Sequence, residues 1–561
     1  MKYTLVITLI LTLHYAHILA EDSYTAIMEY LQSTKHKELS SNTTQSKDKL
    51  SVKSLMIHPS QREALLGKAS FSRPTLTNEQ VYISDDGHFK FHYTTAGYDA
   101  VETFSTNGDG VPDFIYEAAK AAEYAYRILI DTLGFDPPPV DDYTSTETDI
   151  YVLNFGGSVY AYTYPENKVS TTSRSDDWTA YMEIDNDYKE LSYTTNGING
   201  LRVTIAHEFF HVVQLGYNWF INNNLPGSVD GDTYFLEWSS TWFEERAYPE
   251  INDYIQYLGS FFNNPIKSIW DYYDYAYAMG PFIYYLQDVF DQKLIQKTWE
   301  KIKNQYALQA LMEVVSGYGG NLATQYNNYV SACYYSGARY DEAFAVSPDA
   351  RYYPELSVSI QDFSNNLGID DDLKPLATRP YSISFSASQY LNLTVESLSG
   401  GEFKGSYIID KSTSADFLRK FDDQAEVFIG EARKNDQLII FFTNTSTEIT
   451  HDLNLTLTTT ETFPTKILKL YANPYTWKNQ YPLNIELQLG KFISALNFQI
   501  YNIRGQRVYK NSIDTENLDP GILTLEISSD DLRSRNLSSG IYLLRLLADD
   551  IEMIHKFTII N

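Results

Sequence analysis

Leu201-Arg-Val-Thr-Ile-Ala-His207-Glu208-Phe209-Phe210-His211-Val-Val-Gln-Leu215 is the stretch on which the reading of this chain turns. It is an apolar run, read as a helix. Residues four apart stack on one helix face, so the imidazoles of His207 and His211 aim at one spot. Glu208 lies about 100° further round the helix. From there it reaches a water held at that spot without binding the spot itself. This spacing makes a two-toothed seat for zinc with a base beside it. Two histidines buried in a core helix are the plain alternative.

Catalytic zinc usually takes three protein ligands and leaves one position for water. Downstream lies Tyr234-Phe-Leu-Glu237-Trp-Ser-Ser-Thr241-Trp-Phe-Glu244-Glu245-Arg246. Phe235, Trp238 and Trp242 recur at helical spacing, and Glu237, Thr241 and Glu244 share the other face. Between His211 and Glu237 there is room for the loop Asn222 to Asp232 and a return helix. A carboxylate can thus be brought beside two histidines. The pattern resembles the gluzincin metallopeptidases, in which a glutamate on a second helix completes a His, His, Glu site. That resemblance implies Zn2+ bound by His207, His211 and Glu237, with Glu208 as general base. Glu244 and Glu245 are further candidates for the ligand, for an acceptor that orients a histidine, or for an ordinary solvated face.

Tyr277-Ala-Met-Gly280, ahead of the helical stretch Pro281 to Phe290, resembles the tyrosine that steadies the oxyanion in some gluzincin subfamilies. Tyr272, Tyr273 and Tyr275 stand nearby in a chain of 47 tyrosines. The chemistry implied is peptide hydrolysis. The metal polarises the carbonyl and activates water, and Glu208 moves the proton to the leaving amine.

Net charge is −29 over 561 residues, which argues against nucleic acid as a partner. The length predicts several domains. Met1-Lys2-Tyr3 followed by the apolar run Thr4 to Tyr15 and Ile18-Leu19-Ala20 reads as a signal peptide over 1–20, too short for a membrane span. No other run is long enough to cross a bilayer, so the mature chain is expected to be exported without a transmembrane segment. Cys333 is the sole cysteine, so no intramolecular disulfide forms; a buried small hydrophobe is its simplest role. Asn42, Asn392, Asn444, Asn454 and Asn536 head Asn-x-Ser/Thr sequons, meaningful only in a eukaryotic secretory pathway, which the C-terminal region argues against. Residues 21–80 read as a leader or propeptide, with a short helix at Tyr24 to Leu31 and a polar stretch from Ser33 to Lys53.

From 81 to 345 the pattern is α+β. Strands are predicted at His88 to Tyr93, Asp149 to Phe155, Val159 to Thr163 and Tyr181 to Ile184, and a helix at Glu117 to Leu133. This order is compatible with a zincin-like catalytic domain, whose edge strand pairs with an extended substrate. Thr95 to Leu286 also resembles a family of secreted bacterial metalloprotease-like proteins. The matching pieces are Asn107-Gly-Asp109-Gly-Val-Pro-Asp113, Asp131-Thr-Leu-Gly-Phe135, Met182-Glu-Ile-Asp-Asn-Asp187 and the His207 motif. Asn107, Asp109 and Asp113 space their oxygens around glycines as a Ca2+ loop does. Ser105 and Tyr116 depart from the EF-hand pattern, and a glycine turn with Asp113 capping the next helix is the alternative.

Over 346–462 short alternating runs at Tyr381 to Phe385, Tyr390 to Val395, Glu426 to Ile429, Leu438 to Phe442 and Leu453 to Leu457 predict a β-sandwich. Residues 466–561 carry Tyr471-Ala-Asn-Pro474, Phe498-Gln-Ile-Tyr-Asn502, Arg504-Gly-Gln-Arg-Val508, Leu537-Ser-Ser-Gly-Ile-Tyr-Leu-Leu-Arg-Leu546 and Lys556-Phe-Thr-Ile-Ile560. These resemble, in order, the C-terminal sorting domain of type IX secretion, a small Ig-like β-sandwich. The resemblance implies outer-membrane translocation, the type IX machinery as a partner, and a secreted or surface-attached product. The expected function is a zinc endopeptidase acting on proteins or peptides. An adhesin with a structural or vestigial metal site is one rival, and a metal hydrolase of non-peptide amides is another.

Overall fold

The computed structural model describes residues 73–560 apart from 141–145, 158, 170–176, 219–231, 272–274, 398–401, 411–417, 422–425, 461–464, 472, 477–481, 491–492, 519–520 and 536. The signal peptide, the leader helix and the loop at 222–231 lie outside them. The described residues fall into two units: those up to 256 with 292–310, and 257–291 with those from 311 onward.

The first unit contains β1 (Gln80–Ile83), β2 (Phe89–Tyr93), α1 (Asp113–Tyr126), β3 (Thr148–Leu153), β4 (Ala161–Lys168), β5 (Trp178–Asp185), α2 (Gly197–Leu215), α3 (Thr233–Ala247) and α4 (Leu294–Ile302). Its sheet has the order β1-β2-β3-β5-β4. The three central strands are parallel, and the outer strands β1 and β4 run antiparallel to their neighbours. The helix predicted at 117–133 begins at Asp113, and its last turns form a π-helical segment, Arg127–Thr132. The strand predicted to stop at Thr163 continues through Pro165 to Lys168. Proline removes a ladder donor, which an edge strand tolerates and a central one does not.

Ala161 pairs with Ile184 and Thr163 with Met182, and directly opposed residues share a sheet face. All four are 0 % exposed. α2 packs against this face of β4 and β5, and also against α1 and α3. From Gly200 to Leu215 only Arg202 escapes burial, as expected of a helix apolar all round. The ring of Phe210 packs edge-on against Phe135 and Phe243 at centroid distances of 5.0 and 5.5 Å. Gly216, just past α2, is required by crowding. A Cβ there would stand 2.6 Å from Cδ of Pro139.

The second unit is dominated by strands. One pair of sheets is built from β6 (Ser359–Phe363), β7 (Asn366–Leu373), β8 (Thr378–Phe385), β9 (Gln389–Ser397), β10 (Phe403–Asp410), β11 (Arg419–Lys420), β12 (Glu426–Ala432), β13 (Gln437–Asn444) and β14 (His451–Thr459). The orders are β11-β10-β13-β8-β6 and β12-β9-β14-β7. Alternate residues of both sheets, such as Tyr381, Ile383, Leu393, Val395, Ile440 and Phe442, meet in one core, the arrangement of a sandwich. Helix α5 (Leu322–Cys333) packs on β10 and β13 of the first sheet, and Cys333 is buried at its end.

The C-terminal stretch adds β15 (Lys466–Tyr471), β16 (Tyr475–Thr476), β17 (Leu483–Leu489), β18 (Ile493–Asn502), β19 (Arg507–Leu518), β20 (Gly521–Ile527), β21 (Gly540–Ala548) and β22 (Ile551–Ile560). They form sheets β15-β17-β20 and β16-β22-β21-β18-β19 around a separate core including Ile485, Leu487, Phe498, Ile500, Leu544 and Phe557. The chain is therefore multidomain, with a helical and mixed-sheet region followed by sandwich-like β-rich regions. Among the described residues no helix is long and apolar enough to cross a membrane.

Candidate metal centre

α2 and α3 lie side by side and place four predicted residues together. His207, Glu208 and His211 are 0 % exposed and Glu237 is 1 % exposed. Nε2 of His207 stands 3.0 Å from Nε2 of His211 and 3.1 Å from Oε2 of Glu237. Nε2 of His211 stands 3.4 Å from the same oxygen. Two donors each about 2.05 Å from a tetrahedral zinc are separated by about 3.3 Å. The three ligand atoms thus already form the triangle that one small cation would fill.

The other side of each imidazole fixes its tautomer. Nδ1 of His207 donates to Oε1 of Glu244 at 2.6 Å, since a carboxylate only accepts. Nδ1 of His211 lies 2.8 Å from Oε1 of Gln214. The Gln214 amide nitrogen donates to the carbonyl of Leu236 at 3.1 Å and to Oγ of Ser240 at 3.2 Å, so its oxygen is the acceptor facing the histidine. Both Nε2 lone pairs therefore point at each other and at a carboxylate. Without a cation between them that arrangement is repulsive.

Protons supply the missing charge when no metal is bound. Burial pushes the His207 pKa down, but hydrogen bonds to Glu237 and Glu244 overcome it and hold it above the ordinary imidazole value. Burial pushes Glu237 up, yet the charge of His211 and the bond to His207 hold it below the usual carboxylate range. For Glu208 burial wins and its pKa is raised, although the two histidines and Thr163 pull it back.

Glu208 faces β4 rather than α3. Its Oε2 accepts a 2.6 Å hydrogen bond from the Thr163 hydroxyl, while Oε1 is buried without a partner. A buried carboxylate oxygen left unpaired is costly, and such atoms mark sites that await a ligand or water.

The remaining candidates have other neighbours. Tyr277 belongs to the second unit, where its ring packs on Tyr257 at 5.2 Å. Glu245 follows Glu244 on α3 but does not join the three ligands. Asn107 and Asp109 are exposed on the turn before α1. Oδ1 of Asp109 accepts from the amide of Val111 and the hydroxyl of Ser105. Asp113 accepts from the amide and hydroxyl of Thr106, bonds that hold its pKa low. A second gathering of carboxylates, Asp185, Asp187 and Glu190, was not anticipated. Asp185 accepts from the amides of Phe155, Asp187 and Tyr188 and so shapes the loop leading into α2. The sequence reading also passed over Gln214, Ser240 and Thr163. The first two had a signal, each lying three residues, or one helical turn, beyond a ligand.

Comparison with known proteins bears on two stretches of the chain. Residues 469–561 match the secretion system C-terminal sorting domain. The C-terminal domain is a type IX sorting domain. The protein is accordingly exported to the cell surface or beyond it. Residues 103–338 match a family of unknown function, DUF6055, a span that contains His207, Glu208, His211 and Glu237. No curated protein matches the chain.

Similar solved structures include PorZ, an essential surface component of the type IX secretion system of Porphyromonas gingivalis, at 12 % identity and TM-score 0.13 over 19 % of this chain and 14 % of that one. A β-glucuronidase of Parabacteroides merdae is 10 % identical, with TM-score 0.14 over 33 % of this chain and 28 % of that one. The BSP domain of a biofilm-associated protein is 8 % identical, with TM-score 0.13 over 36 % and 52 %. The chain spans about half or less of each, and at these TM-scores no fold assignment follows.

Proposed function

We propose that this chain is a secreted zinc-dependent endopeptidase of gluzincin type. The observation that carries the reading is the pair of Nε2 atoms 3.0 Å apart beside the Glu237 carboxylate, each imidazole held from behind through its Nδ1. Two nitrogens and one carboxylate oxygen are a donor set suited to catalytic zinc, with a fourth position left over. His207, His211 and Glu237 would hold the ion, with Glu244, Gln214 and Ser240 orienting the histidines. A bound zinc supplies a Lewis acid that polarises a carbonyl and acidifies water.

The chain's own residues supply the rest. Oε1 of Glu208, buried and without a partner, is free to take a proton from an attacking water and return it to the leaving nitrogen. The mixed sheet with β4 as its antiparallel edge beside α2 fits the zincin-like arrangement, and an edge strand offers unpaired amides and carbonyls to an extended peptide.

The enclosure of the site favours a second reading. Structural zinc sites are closed, and no ligand here is more than 1 % exposed. An adhesin or binding protein with a structural metal would show that. Glu208 speaks against it, because a structural site needs no base. For the peptidase to work, whatever covers the site must move aside to admit substrate.

Elemental analysis of the purified chain beside Glu237→Ala separates the possibilities. The proposal expects about one zinc per chain, lost or much weakened in the variant. It also expects cleavage of denatured protein that Glu208→Gln abolishes while keeping the metal. Folded, metal-replete protein without zinc would sink the peptidase. Zinc with no turnover would leave the structural reading.

A further inference from the structure

Thr163 sits on the edge strand β4, 45 positions before Glu208 in sequence, and is 0 % exposed. Its cross-strand partner Met182 is equally buried, so this face of β4 is committed to α2. The Thr163 hydroxyl reaches two oxygens of one residue: the Glu208 carboxylate at 2.6 Å and the Glu208 carbonyl at 3.2 Å. A hydroxyl has one proton to donate, and of its two contacts the shorter one, to the carboxylate, is the stronger.

The consequence is geometric. With Oε2 tethered to the strand, the carboxylate cannot rotate freely about its last bond, and Oε1 is the oxygen left buried and unpartnered. A glutamate side chain loses rotamer entropy when it is fixed. Here the sheet imposes that order before any substrate arrives. Resting on the hydrolase reading, we propose that Thr163 is the positioning residue for the general base: its hydroxyl ties one oxygen of Glu208 to the edge strand and thereby dedicates the other to proton transfer. The edge strand would then do two things at once, offering its backbone edge and aiming the base.

A purely structural threonine would behave differently. It would serve packing and the Glu208 carbonyl, and any side chain of its shape would do. Valine keeps that shape and removes the donor, and serine keeps the donor and removes a methyl. The test compares wild type, Thr163→Val, Thr163→Ser and Glu208→Gln in the full chain, with Thr163→Ala standing in should the valine variant not fold. Each is loaded with cobalt(II) in place of zinc, for its visible spectrum, and each is separately assayed with zinc on denatured casein.

The proposal expects one metal per chain in all of them. It expects the wild-type cobalt spectrum to be kept by serine and altered by valine toward that of Glu208→Gln. It expects kcat to fall by about 10²-fold in valine with KM within about twofold, since a small misplacement of a catalytic group has that scale of effect, and serine to recover most of it. A valine variant with wild-type spectrum and kcat would overturn it, as would a serine variant no better than valine. The two readings fail separately. Wild type that holds cobalt but cleaves nothing removes the peptidase, and Thr163 is then judged on the spectrum alone. Wild type that holds no metal removes both.

Discussion

Two buried polar clusters in this molecule are built to opposite rules. On the sandwich, the side chain of Asn327 on α5 donates to Oγ1 of Thr443 at 3.0 Å and accepts from Oγ of Ser406 at 2.6 Å. Ser331 closes the circuit, its Oγ 3.1 Å from Oγ of Ser406 and 2.7 Å from the backbone carbonyl of Asn327, and Thr378 bonds Thr443 at 2.7 Å. Every member is neutral and partnered, and the cluster fastens a helix to a sheet. In the first unit, α2 and α3 bring two imidazoles and three carboxylates into a region equally free of solvent, yet leave Oε1 of Glu208 unpaired and three ligand atoms crowding one point. Neutral polar groups are buried to be satisfied, and a network with every partner in place specifies one packing. Ionisable groups gathered with an oxygen left unpartnered break that rule, and such breaks concentrate at functional sites.

The sharpest way to break that contrast is to alter the base. Glu208→Gln is isosteric and leaves the three ligand atoms untouched. Turnover of a protein substrate should fall by about 10²- to 10⁴-fold, with zinc content unchanged by elemental analysis. A variant that keeps its activity would reduce the frustrated cluster to a structural one.

Glu244→Gln addresses the support behind a ligand. The amide still accepts from Nδ1 of His207 but no longer carries the charge. Zinc affinity should drop by about 10- to 100-fold, the usual scale for an outer partner of a metal-bound histidine, as read by competition with a chromophoric chelator. An unchanged affinity would mean that Glu244 serves the fold alone.

The satisfied cluster should answer in stability and not in metal. Asn327→Ala leaves Thr443 and Ser406 without their shared partner in a dry interface. A loss of about 2 kcal/mol is expected, visible as an earlier thermal transition, with zinc content at the wild-type level. Loss of metal in this variant would show that the two clusters are not independent.

Legibility in the sequence followed the same divide. Glu237 was named through the gluzincin resemblance, while His207 and His211 were readable because helical periodicity stacks residues four apart on one face, with Glu208 about 100° further round. Glu244 was readable as a candidate orienting acceptor for the same reason. Thr163 was not, because its place beside Glu208 depends on which strand becomes the sheet edge, and pairing order is not written locally. The strands of the sandwich were readable from period-two alternation: the runs at Tyr381, Tyr390 and Leu438 fall within β8, β9 and β13. What the alternation did not disclose is that α5, which follows the helices carrying the His207 cluster without a break in composition, packs on the sandwich. Its polar contacts Asn327 and Ser331 look like any helix surface until the partner sheet is known. The strand predicted to stop at Thr163 runs on through Pro165 for a related reason, since a proline is tolerated at a sheet edge though not in its interior.

The smallest expected effect concerns pH. In the metal-free site the bonds to Glu237 and Glu244 hold His207 protonated above the ordinary imidazole range. Zinc and that proton compete for the same Nε2, so each zinc bound through the neutral range should release one proton from His207. The sign follows directly. Lowering the pH within the range where His207 is protonated raises the proton's advantage, and apparent zinc affinity should fall about tenfold per pH unit, about 1.4 kcal/mol. Calorimetric titrations in buffers of different ionisation enthalpy count the released protons, and chelator competition at a series of pH values gives the slope. A flat profile between pH 6 and pH 8 would mean that His207 is already neutral in the empty site. The lone-pair repulsion that argues for a metal would then have to be relieved by another route, such as a proton shared between Glu237 and His211.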